Sequence, residues 1–87
     1  RTVCAMCLGR DPHDVGRCNR ARLWDDSRDT RCSRNARDRL AVGDAEICLA
    51  WQLPNGCQST SHLDRHACSG CGDSAHGANG CPLAQAA

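Results

Sequence analysis

Cysteine and histidine recur in this chain at intervals suited to gripping an ion, and that recurrence limits the folds open to it more than any other feature. Its last such stretch, CSGCGDSAHGANGC, spaces Cys68, Cys71, His76 and Cys81 as C-x2-C-x4-H-x4-C. A C-x2-C turn brings two thiolates to one ion while backbone amides after the first cysteine point at sulfur. Gly70, Gly72, Gly77 and Gly80 suit the tight positive-φ turns of so small a site. The N-terminal end carries a near copy. Cys4, Cys7, His13 and Cys18 are spaced C-x2-C-x5-H-x4-C, with Cys7-Leu8-Gly9 as the turn and the extra residue taken up at Asp11-Pro12. Here Cys32 stands as the alternative to His13 for the fourth ligand.

A third quartet lies between these two. Cys48, Cys57, His62 and His66 read C-x8-C-x4-H-x3-H, and histidines four apart share one face of a helical turn. The three quartets use all four histidines and eight of the nine cysteines, leaving Cys32 as a spare thiol or as a substitute for His13 or His62. Only Ala67 separates His66 from Cys68, so the second and third sites would hold neighbouring ions and form one rigid unit.

Composition explains why ions are needed. Leu, Ile and Val total eleven of 87 residues, and Phe and Tyr are absent, too few for an ordinary apolar core. A domain of this size generally needs a metal or disulfides. Nine cysteines is an odd number, no secretory signal precedes Arg1, and the histidines fall at ligand spacings, so the expected cofactor is zinc, three ions in all. No apolar run approaches the ~20 residues needed to cross a membrane. The expected setting is soluble and reducing: intracellular, nucleus or cytoplasm, with no membrane partner.

The expected fold class is therefore a small zinc-stabilised domain with irregular, sparse secondary structure, two CCHC sites flanking a CCHH finger. Residues 1–18 and 67–87 hold the CCHC units, the latter with a tail. Residues 48–66 form the finger, and residues 19–47 an arginine-rich connector packed on the fingers. Within the connector, Ser33 is placed to cap a short helix over RNARDRLAV that ends at Gly43, leaving Leu40 and Val42 to pack on a finger with Leu23 and Trp24.

The CCHC spacing of residues 68–81 resembles the zinc knuckle of retroviral and retrotransposon nucleocapsid proteins, as does the longer copy at 4–18. The central quartet is similar to the CCCH finger of RNA-binding proteins, with CLAWQLPNGC keeping an aromatic three residues after the first cysteine and a glycine before the second. It departs from that pattern in having His62 where the third cysteine should be, one residue early. Taken together, residues 4 to 81 resemble the zinc-finger region of Gag-like proteins from fungal retroelements. That resemblance implies binding of single-stranded RNA or DNA, in packaging or chaperoning a mobile-element transcript.

Charge and aromatic content bear on that expectation. All eleven basic residues are arginine, against ten acids. Residues 17 to 39 hold eight arginines and four aspartates, whereas residues 40 to 87 hold Arg65 against four acids. The arginine run reads either as a solvated mixed-charge connector or as a phosphate-binding strip. Each CCHC site adds three thiolates and one Zn2+, and the CCHH site is neutral, so the chain's +1 becomes −1 when loaded. Nucleic-acid binding must then use local charge. Both knuckles lack an aromatic after the first cysteine, where Ala5 and Ser69 stand. Trp24 is expected to pack, while Trp51 is open between packing and base stacking. The contact candidates are Arg17, Arg20, Arg22 and Trp51.

The chain is expected not to be an enzyme and to have no small-molecule substrate. Each site is closed by four protein ligands, and no HExxH, deaminase signature, P-loop or nucleotide-binding glycine fingerprint occurs. The alternative function is a zinc-scaffolded module for protein–protein interaction, with a protein as partner.

Overall fold

The computed structural model describes residues 2–10, 13 and 15–86. The Asp11-Pro12 position, expected to absorb the extra residue of the first CCHC unit, lies outside them. Where a helix over RNARDRLAV is expected, the chain instead forms a three-stranded antiparallel sheet: β1 (Ser33–Arg34), β2 (Leu40–Val42) and β3 (Ala45–Glu46), in that order. The register pairs Ser33 with Ala41 and Arg34 with Leu40, then Ala41 with Glu46 and Val42 with Ala45.

Local hydrogen bonding decides against the helix. The Asn35 side-chain oxygen accepts from the amides of Arg37 (2.9 Å) and Arg39 (3.0 Å). Its backbone pairs with Arg39, and Asp38 sits at φ +60°. This Asn-directed turn competes with helical bonding and reverses the chain between β1 and β2. Gly43, also at φ +60°, begins the two-residue turn into β3. The hairpin buries Leu40 and Ala41.

The rest is turns and loops. A four-residue helix, α1 (Leu49–Gln52), follows Cys48, and single 3₁₀ turns occur at Val15–Arg17, Leu63–Arg65 and Ala78–Gly80. His62 and His66 flank the second of these, a tighter arrangement than the helical turn their spacing suggests.

Two small apolar clusters hold the elements together. In one, Ala5, Met6 and the sulfurs of Cys4, Cys7, Cys18 and Cys32 pack with Leu40, with Val15, Val42 and Ile47 at the margin. In the other, Val3, Leu8 and Leu23 meet Cys68, Ala78 and Cys81, with Leu83 and Ala84 alongside. Cysteines are thus core residues here. The C-terminal tail closes over the first CCHC unit, the Gln85 amide donating to the Leu8 carbonyl and Arg10 donating to Gln85. Among the described residues, no helix is long and apolar enough to cross a membrane.

Candidate metal centres

The chain brings its Cys and His side chains into three clusters: Cys4, Cys7, His13 and Cys18; Cys48, Cys57, His62 and His66; and Cys68, Cys71, His76 and Cys81. In each, the four donor atoms lie within 4.8 Å of one another. Cys32 joins none of them. It is buried, and its thiol donates to the Ser69 carbonyl at 3.2 Å.

The first and third clusters rest on the same turn. The Cys4 amide donates to the Gly9 carbonyl, as Cys68 does to Asp73, and Leu8 donates to Cys4 as Gly72 does to Cys68. The amide two residues after the first cysteine faces its sulfur in both, Met6 to Cys4 at 3.4 Å and Gly70 to Cys68 at 3.3 Å. Each unit ends in a 3₁₀ turn that delivers its last cysteine, Cys18 bonding back to Val15 and Cys81 to Ala78. The turn needs one left-handed residue, which is Gly72 (φ +86°) in one copy and Leu8 (φ +62°) in the other. Gly77, by contrast, sits at φ −104°, so its role is not conformational.

Ligand separations test the fit to an ion. A tetrahedral centre with metal–sulfur bonds of about 2.3 Å and metal–nitrogen bonds of about 2.0–2.1 Å puts sulfur and nitrogen about 3.6 Å apart. The Sγ to Nε2 distances are 3.8 Å for Cys7 and His13, 3.6 Å for Cys57 and His62, and 3.3 Å for Cys71 and His76. The second cluster adds a separate sign: Nε2 of His66 is buried with no hydrogen-bond partner, an orphan that an ion would satisfy. Neighbours orient the rings. Ser61 Oγ lies 3.3 Å from Nδ1 of His62, and Asp73 3.9 Å from Nδ1 of His76, leaving each Nε2 for the cluster.

Thiol acidity without a cation shows what one would change. Burial pushes Cys4 and Cys81 up to about 12 and Cys32 to about 11. Cys18 is also penalised by burial, but the Arg20 amide and hydrogen bonds from His13, Cys4 and Cys7 outweigh that and lower it. In the first cluster the Cys18 thiolate is thus favoured while Cys4 holds its proton; a divalent cation among the sulfurs would let both ionise.

Sequence reasoning missed the residue that joins the second and third clusters. Gln52 is fully buried; its amide nitrogen donates to the carbonyls of Cys48 (3.0 Å) and Ala67 (2.7 Å). Its oxygen accepts from the amides of Ser69 and Ala78, both at 2.9 Å. Both N–H donors and both acceptor lone pairs of the side chain are thus used. The signal available was a glutamine between Trp51 and Leu53, at the end of α1. Trp51 works alongside it, stacking on His66 (centroids 4.5 Å apart, planes at 6°) and donating its indole N–H to the His76 carbonyl. It therefore touches ligands of two clusters.

The other contact candidates lie apart from Trp51. Arg17, Arg20 and Trp24 line one cleft beside the first cluster. Arg20 is fixed by the carbonyls of Arg22 and Leu23. Arg22 bonds Asp26 and Asp29, which hold its guanidinium firmly charged. Trp24 is 37% exposed, although its indole N–H donates to the Leu83 carbonyl. It is anchored through its indole nitrogen and partly exposed beside the cleft, so packing describes only part of its surroundings.

No protein family, curated protein or solved structure is found to match this chain. What fold and site define together is a zinc-finger-like module: a small chain with sparse secondary structure and three Cys/His clusters able to hold metal ions.

Proposed function

We propose that this chain is a zinc-finger module that carries three structural Zn2+ ions and binds single-stranded RNA or DNA, in a retroelement Gag-like protein. The ligand chemistry supports zinc, since mixed thiolate and imidazole quartets at these separations suit a tetrahedral ion without redox chemistry. Four protein ligands close each centre, so the ions organise the fold rather than activate water, and the module is not an enzyme.

The observation that carries nucleic-acid binding is the state of the arginines. Among the four contact candidates, Arg22 is matched by two aspartates and Trp51 has one ring face against His66. Arg20, however, is held by backbone carbonyls, Arg17 is exposed, and neither has an ion pair among the described residues. Preorganised, unmatched guanidiniums suit phosphate. The test is anisotropy of labelled short single-stranded RNA and DNA with the zinc-loaded chain at two salt concentrations. Binding that weakens steeply with salt is expected; absence of binding at low salt with full metal content defeats the reading.

A second reading has its own observation. Leu49, Leu53 and Leu63 are exposed, and a cavity of about 440 Å³ opens beside Leu49 with Val15, Leu40 and Ile47 in its wall. Such a surface suits a protein partner, and a saturable protein complex with no oligonucleotide binding would select it.

A further inference from the structure

The cleft beside the first Cys/His cluster holds an aromatic face, two arginines and an amide side chain within about 300 Å³. From this juxtaposition we infer that the cleft is a nucleotide subsite, in which an unpaired base stacks on Trp24 while Arg17 and Arg20 hold the adjoining phosphates. The inference rests on the nucleic-acid reading above and moves its aromatic contact from Trp51 to Trp24.

Trp24 is built as a platform. Its backbone amide donates to the Cys7 carbonyl at 2.8 Å and its indole N–H to the Leu83 carbonyl at 3.0 Å. Its Cβ lies against Gly9, where any side chain would meet it at 3.0 Å. Fixed at backbone, Cβ and ring nitrogen, the residue is still 37% exposed, so little ordering entropy is lost when a base covers the indole. Ring stacking is tolerant of base identity, because every base has a π face. Ala5 and Ser69 leave the two CCHC turns without an aromatic of their own, and Trp24 brings one to the first turn from outside it.

Charge separates this cleft from its competitors. Among the described residues lining it, none is acidic, and Asn19 adds a donor and an acceptor for a base edge. The cavity beside Leu49 instead contains Glu46, which faces Arg37, Arg39 and Arg65 at 3.9–4.0 Å, and Asp38, 3.8 Å from Arg34, so each arginine in its wall has an acidic neighbour, and no tryptophan lines it. The cleft at Trp51 is lined by Leu53, Pro54, Asn79, His76 and glycines, with no arginine. Only the Trp24 cleft combines stacking surface with unmatched positive charge among these three.

The test uses the zinc-loaded 87-residue chain, a labelled oligothymidylate and a labelled oligouridylate. Trp24→Leu should weaken binding by roughly 5- to 150-fold, the range of one base–aromatic stack. Arg17→Gln should lower the salt slope by about 0.7, one phosphate contact, while Arg65→Gln, outside the cleft and beside Glu46, leaves it unchanged. In the Trp51→Phe protein, the remaining Trp24 fluorescence should be quenched on binding. If the unaltered chain binds neither oligonucleotide, the nucleic-acid reading itself fails. If it binds and folded Trp24→Leu binds equally well, the subsite is wrong and the reading survives. Should Trp24→Leu lose its metal, the exposed Arg17→Gln change decides: an unchanged affinity and slope overturn the subsite.

Discussion

Leu8 occupies a backbone position that its counterpart fills with Gly72, at φ +62° with its side chain completely buried. A left-handed leucine costs about 1–2 kcal/mol, whereas burying it contributes about 1.5–3 kcal/mol. The reason lies across the core, where a Cβ built on Gly70 would stand 2.6 Å from Leu8 Cδ1: Leu8 fills the space that Gly70 leaves open. Leu8→Ala should therefore destabilise by about 2–5 kcal/mol. Leu8→Gly should be milder than alanine by about 1 kcal/mol, reversing the usual order, because glycine relieves the strain. Denaturant unfolding of the two zinc-loaded variants checks this, and an alanine variant as stable as glycine would contradict it. Cys32 poses the complementary question of a cysteine with no ion. Its sulfur lies outside every cluster and donates to Ser69, so Cys32→Ala should keep three ions by native mass spectrometry and cost about 1–2 kcal/mol of packing and hydrogen bonding. A count of two would make Cys32 a ligand after all.

Between elements, α1 (Leu49–Gln52) and the 3₁₀ turn at Ala78–Gly80 approach so closely that no side chain fits between them. A Cβ on Gly77 would lie 2.0 Å from the Trp51 carbonyl oxygen and 2.8 Å from Gln52 Cα, both backbone atoms. The closeness is what lets Gln52 reach the amides of Ser69 and Ala78. Gly77→Ala should push the elements apart, break those bonds and cost about 3 kcal/mol or more. Gly80→Ala, with nothing nearer than the His76 Cβ at 3.6 Å, should stay within about 0.5 kcal/mol. Equal melting temperatures for the two variants would refute this role of Gly77. The example also shows what the sequence could reveal. The quartets were legible because ligand spacing is a local property, written within 14 or 15 residues in the first and third cases and 19 in the second. The sheet was not, because a five-residue turn directed by Asn35 outweighed a helix-like pattern of Arg and Ala. Nor was Gln52, whose four partners come from three separate segments and whose burial depends on the fold being assembled first.

For the whole molecule, the two apolar clusters take in Cys4, Cys7, Cys18, Cys68 and Cys81 of the quartets, so binding of the proposed ions and folding would be one process. The sign of the pH dependence follows from the state of those sulfurs. Without a cation, burial raises Cys4 and Cys81 to about 12, above the ordinary thiol value of 9.0. Their contribution to the metal-free fold is complete below about pH 9 and is lost as pH rises toward 12. With an ion bound, the same sulfurs are thiolates and their effective pKa falls below the unfolded value, so stability is present at neutral pH and is lost as pH falls. Acid should thus unfold the loaded chain while protonating its ligands and releasing metal. Because the proposed ions would bind the folded chain and only weakly the unfolded one, raising free zinc should move the acid midpoint to lower pH. Trp51, stacked on His66 and bonded to the carbonyl of His76, should report the transition in its emission. Chelator at pH 7 should produce the same loss of structure, since structural zinc contributes about 10–16 kcal/mol per site in comparable peptides, far more than clusters this small supply. An acid midpoint indifferent to free zinc would show that the fold stands without its ions.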